Sequence, residues 1–116
     1  NEEEITSLYT TSNLDLAIEK LKNKCELAAI TIGKKGSIVI SNGKETSIDP
    51  FIYGKAIDTT GAGDLYAGGF LKGLSDGLNP VISAKIGSIC AGQIVTQLGS
   101  RSNADLSTLI NSYITI

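Results

Sequence analysis

Asp58-Thr59-Thr60-Gly61-Ala62-Gly63-Asp64-Leu65 marks the point where the chain changes its periodicity. Before it, apolar residues come in short runs bounded by turn residues. From Gly61 onward, Ala67, Phe70, Leu71, Leu74 and Leu78 fall at helical spacing, and Asp76-Gly77 supplies a stop. A glycine-rich turn therefore runs directly into a helix. The first N–H groups of a helix have no partner inside it, and together with the positive end of the helix dipole they form a ready anion site. Gly61 and Gly63 carry no side chain, so the backbone can approach a phosphate closely. Asp64 sits in the first turn, beside that site.

Upstream, residues 14 to 24 read as an amphipathic helix with Leu14, Ala17, Ile18 and Leu21 on one face, and Ser12 or Asn13 is placed to cap it. Leu27 to Ile32 is a nearly continuous apolar run, the pattern of a strand buried on both faces. Gly33 and Gly36 bracket two lysines in a tight connection to a second strand, Ser37 to Ser41. Asn42-Gly43 is a two-residue hairpin signal, with Thr46 to Ile48 as the returning strand. Downstream, Asn79-Pro80 is an N-cap followed by proline at the first helical position. The helix it opens is expected to run to Gly99, and a last helix follows Asn103 with Leu106, Leu109, Ile110, Tyr113 and Ile114 on one stripe. Helix, strands with a hairpin, then three helices indicate one layered α/β domain over residues 1–116.

Composition narrows the function classes. With 41% apolar and 19% charged residues, the 116-residue chain is globular in character and suits one modest domain. A net charge of −2 gives no electrostatic reason to expect nucleic acid or an anionic membrane as partner. No run of about 18 apolar residues is present to span a bilayer. Two cysteines, Cys25 and Cys90, make neither a disulfide framework nor a metal spacing. The absence of histidine removes Ser-His and Cys-His nucleophile machinery and the usual zinc sites. Chemistry here must run on carboxylates, amides, hydroxyls and bound cations.

Phosphoryl transfer fits that restriction, because it needs positioning, charge stabilisation and a group that takes the hydroxyl proton. A carboxylate such as Asp64 supplies the last, and the amides of Ala62 and Gly63 supply the second. The competing reading is structural: a tight turn, with Asp64 only complementing the helix dipole.

The run Asp58-Thr59-Thr60-Gly61-Ala62-Gly63-Asp64, with Tyr66 and Gly68-Gly69-Phe70-Leu71 after it, resembles the D-T-x-G-A-G-D signature of the ribokinase-like (PfkB) carbohydrate and nucleoside kinases. The resemblance implies the C-terminal portion of a ribokinase-like Rossmann-type fold, with Asp64 as base toward the acceptor hydroxyl and Gly61, Ala62 and Gly63 as anion hole. Thr31-Ile32-Gly33-Lys34-Lys35-Gly36 resembles the family's nucleotide-side T-x-G-x-x-G turn, which implies nucleotide-bordering roles for Thr31, Gly33 and Gly36. Asn1-Glu2-Glu3-Glu4 is similar to its N-x-x-E motif, which implies that Asn1 and Glu4 influence Mg2+ and phosphate; an acidic run of this kind also reads as a solvated face.

Small residues at Ala84, Ser88 and Gly92, with Gly87 and Ala91 alongside, permit close helix packing; by the resemblance Ala91, Gly92 and Val95 border the adenine. Gly68 and Gly69 read as close-packing positions. Asp58 and Thr60 match the residues through which some members bind a monovalent cation such as K+.

The implied activity is transfer of the ATP γ-phosphate to a hydroxyl of a sugar or nucleoside. Alternatives from other classes are a non-catalytic nucleotide-binding module and a structural domain that self-associates, for instance as a homodimer. The implied location is cytoplasmic, and no signal peptide is visible. The chain opens on Asn1 and has no counterpart of the family's N-terminal glycine motif, so it is expected to be a fragment with little or no kinase activity alone.

Overall fold

A computed structural model describes residues 1–99 and 101–114. Its elements are α1 (Glu2–Leu8), α2 (Leu14–Lys22), β1 (Leu27–Thr31), a 3-10 turn at Gly33–Lys35, β2 (Ser37–Ser41), β3 (Lys44–Ile48), α3 (Ala62–Ser75), α4 (Pro80–Ile94) and α5 (Leu106–Tyr113). The three strands form an antiparallel sheet in the order β1-β2-β3, with Leu27 opposite Ser41 and Ser37 opposite Ile48. The β2–β3 hairpin turns at Asn42 and Gly43, whose φ values of 49° and 81° are the positive pair that a two-residue turn of this hand requires.

β2 is the middle strand and separates two cores. Ile38 and Ile40 point to one side, where they pack with Ile5, Ala17, Ile18 and Ile30 from α1, α2 and β1. Val39 points to the other side, with Ile48 of β3, Tyr66 and Phe70 of α3 and Ala84 of α4. Alternation along one strand thus feeds both faces, giving a helix–sheet–helix layering. β1 departs from the expectation of burial on both faces. Only Ile30 is buried, and Leu27 is 39% exposed, because β1 lies at the edge of the described sheet.

α3 and α4 pack against each other through small residues. A Cβ on Gly69 would lie 2.9 Å from Gly87 Cα and 3.1 Å from Cys90 Sγ, closer than side chains tolerate, so this crossing exists only without one. Gly68 differs from expectation: it faces open space and packs against nothing. α4 ends at Ile94, short of Gly99, because its last turn is taken over by other partners. The Val95 carbonyl accepts from both Ile57 and Asp58 N–H, and Thr96 Oγ1 donates to the Gln93 carbonyl. The buried Gln93 amide then holds the following loop, accepting from Ser102 Oγ and donating to Gln97 and Asn103 side chains. α5 is capped by Asp105 and buries no residue completely.

Candidate functional site

A cleft of ≈ 760 Å³ opens where the 3-10 turn after β1, the irregular segment 50–56, the start of α3 and the last turns of α4 converge. It brings together nine of the residues singled out in the sequence: Asn1, Thr31, Gly33, Gly36, Ala62, Gly63, Ala91, Gly92 and Val95. Gly61, Asp64, Asp58, Thr60 and Glu4 lie outside its lining. Asp64 follows Gly63 directly in the first turn of α3, is exposed, and its carboxylate enters no hydrogen bond or ion pair among the described residues. The carboxylate is thus not consumed by structure.

α3 starts at Gly61, which has φ 81° and provides no side-chain cap. That left-handed geometry costs a non-glycine residue about 1–2 kcal/mol, which accounts for glycine here. The Ala62 N–H donates to the Thr59 carbonyl at 3.1 Å, and the Leu65 N–H is the first to bond back to Gly61, at 2.9 Å. Ala62 is therefore not a free donor, in contrast to the sequence reading. The N–H groups of Gly63 and Asp64 remain without a protein acceptor among the described residues. The open donors at this helix start are therefore those of Gly63 and Asp64, one position further down the chain.

Asp58 organises the approach to this helix. Its Oδ1 accepts from Thr60 N–H at 3.0 Å and from Thr60 Oγ1 at 2.6 Å, and its Oδ2 accepts from Gly99 N–H at 3.0 Å. The Thr60 hydroxyl above all, then the Gly99 and Thr60 amides, hold the carboxyl below its ordinary range, since each bond favours the ionised form. Both side chains named for a monovalent cation are engaged with each other and with the backbone.

Asn1, named with Glu4 for Mg2+, caps α1 through its Oδ1, which accepts from Glu4 N–H at 2.8 Å; Asn1, Glu2 and Glu3 line the cleft and Glu4 does not. Among the described residues no group of three or more Asp, Glu, Cys or His could enclose a metal.

Several lining residues carry no signal in the sequence. Pro50, Phe51, Ile52, Gly54 and Ala56 form one wall, yet their stretch has no helical or strand period. Gly92 hints at this wall after the fact: a Cβ there would collide with the Phe51 carbonyl, so the stripe on α4 packs against segment 50–56. Phe51 is held in turn by edge-to-face contact with Tyr113 of α5, ring centroids 4.8 Å apart. Tyr66 and Ser88 reach the cleft from α3 and α4, and Lys34 brings a positive charge to its rim.

Comparison with known proteins places this arrangement. The pfkB family of carbohydrate kinases matches residues 1–107. The crystal structure of adenosine kinase from Sinorhizobium meliloti superposes with a TM-score of 0.92 at 36% identity, covering 98% of this chain and 35% of that one. A probable sugar kinase from Rhizobium etli gives the same TM-score, 0.92, at 31% identity over 97% of this chain and 34% of that one. Inositol 3-kinase of Arabidopsis thaliana is 33% identical over 74% of this chain and 24% of its own length. The chain spans about a fifth to two fifths of the length of the curated relatives it matches. No helix among the described residues is long and apolar enough to cross a membrane. The three-layer arrangement and the glycine turn leading into α3 are part of a ribokinase-type fold, and the chain belongs to the pfkB family of carbohydrate kinases.

Proposed function

We propose that this chain is the nucleotide-side and catalytic portion of an ATP-dependent kinase that phosphorylates a hydroxyl of a sugar or nucleoside. The observation that carries the reading is the start of α3. Two unbonded amides, Gly63 and Asp64, stand next to an exposed carboxylate with no partner among the described residues, at the edge of a large cleft. In the reaction, the acceptor oxygen attacks the terminal phosphorus of ATP and the bond to the bridging oxygen of ADP breaks. The Asp64 carboxylate takes the proton of the attacking hydroxyl. The two amides and the positive end of α3 stabilise charge on the phosphoryl group in transit. Thr31, Gly33 and Gly36 border the nucleotide from the sheet side, and Ala91, Gly92 and Val95 from α4.

The test is a panel of sugars and nucleosides offered with ATP to the full-length protein, with ADP release as readout. Acceptor-dependent ADP formation with at least one of them is expected; none above the background hydrolysis of ATP contradicts the reading. Because this chain covers only part of its relatives, the same assay on residues 1–116 alone is expected to show little or no transfer.

A further inference from the structure

The Tyr66 hydroxyl donates a 2.7 Å hydrogen bond to Ser37 Oγ across 29 positions of sequence, with Tyr66 6% and Ser37 1% exposed. Ser37 is the first residue of β2 and follows directly on Gly36, the last residue of the turn that borders the cleft. That turn is closed by the Ile32 N–H donating to the Gly36 carbonyl at 2.9 Å. Tyr66 lies one turn beyond the Gly63 amide, on the same helix. Its ring is packed on two sides: it stacks on Phe70 with centroids 6.3 Å apart, and Gly87 of α4 leaves space for the Tyr66 backbone and ring edge only by lacking a Cβ. A side-chain hydrogen bond therefore ties the element carrying the free amides to the element carrying the nucleotide-side turn, beneath the cleft that both line. An aromatic ring without the hydroxyl would fill the same volume but leave the two walls joined by apolar contact alone.

We infer that Tyr66 is a positioning residue, whose bond to Ser37 fixes the spacing between the α3 amides and the Gly33–Gly36 turn, and with it the fit of the triphosphate. The inference rests on the kinase reading above. Its test uses the full-length enzyme and three variants: Tyr66→Phe, Ser37→Ala and the two combined. Removing one partner leaves a buried polar group unpaired, whereas removing both leaves apolar groups of similar shape, which is far less destabilising.

Tyr66→Phe is expected to raise the KM for ATP about three- to tenfold, the scale of one neutral hydrogen bond. The KM for the acceptor should stay within twofold. The double variant should regain most of the thermal midpoint lost by either single change while keeping the raised KM for ATP. If the double variant restores the KM together with the midpoint, or Tyr66→Phe leaves the KM for ATP within twofold of the parent, Tyr66 is structural and the inference is overturned with the kinase reading intact. A parent enzyme that forms no ADP with any acceptor overturns both.

Discussion

Five α-helices begin among the described residues, and they begin in two ways. α1, α2, α4 and α5 each have a side-chain oxygen over the first turn: Asn1 on Glu4 N–H, Asn13 on Asp15 and Leu16 N–H, Asn79 on Ile82 N–H and Asp105 on Thr108 N–H. α3 begins at a left-handed glycine with no such oxygen. A cap satisfies orphan donors, and substitution of a capping residue by Ala costs about 0.5–2 kcal/mol, so its omission at the longest loop-to-helix junction is a local sacrifice of stability. What α3 gains is a pair of open donors at the edge of the cleft, which Gly63 lines. The difference teaches that the sequence caps the helix starts that only pack, and leaves donors open at the one start where the proposed function seats an anion.

The contrast can be broken at its uncapped end or sharpened at a capped one. The largest effect is expected from Asp64→Asn in the full-length protein, which removes the proposed proton acceptor and leaves the amides. Turnover should fall by about 10² to 10⁴, the usual worth of a general base, with ATP binding nearly unchanged. Turnover within twofold of the parent would remove Asp64 from the mechanism. Gly61→Ala forces an L side chain into φ 81°. A loss of about 1–2 kcal/mol in unfolding free energy by denaturant titration is expected, accompanied by weaker ATP binding. Asn79→Ala, at the start of α4, should cost about 1 kcal/mol in the same titration with the KM for ATP unchanged. Similar KM shifts for the two glycine and asparagine variants would erase the distinction.

The smallest effect concerns pH. The Asp58 carboxyl is held below its ordinary 3.8 by Thr60 and Gly99, so it stays ionised, and its three bonds persist, at every pH above that value. The bonds, and the stability they lend, are lost only as pH falls through the lower folded-state value. The Thr60 and Gly99 amide resonances should therefore titrate together with a midpoint below 3.8. Independent titrations, or a midpoint above 3.8, would separate Asp58 from the loop it is assigned to hold.

Much of this was legible in the sequence because local chemistry decides it. Asn42-Gly43 could turn in few other ways, Asn79-Pro80 starts a helix by capping and fixed φ, and the glycine run before Asp64 announced both the helix and its open end. The parts that were not legible depend on partners distant in sequence. α1 was hidden because Glu2-Glu3-Glu4 reads as a solvated face and its one buried side chain, Ile5, shows no period. The early end of α4 is set by Ile57 and Asp58 N–H, some forty residues upstream, and no pattern within α4 signals it. The wall at residues 50–56 owes its place to Gly92 and Tyr113. For the site, the signature run identified the helix start and its carboxylate. It did not reveal that the Ala62 amide is taken by Thr59, nor that Asp58 and Thr60 are spent on each other.

The account turns on whether phosphate oxygens meet the open amides of α3. Amide resonances of the full-length protein, followed as ATP is added, measure this directly. Gly63 and Asp64 should shift most, well beyond the capped starts represented by Asp15 and Ile82, and adenosine without phosphates should not reproduce the shift. If the Gly63 and Asp64 resonances stay in place while ATP saturates the protein, the phosphates lie elsewhere and the account is contradicted.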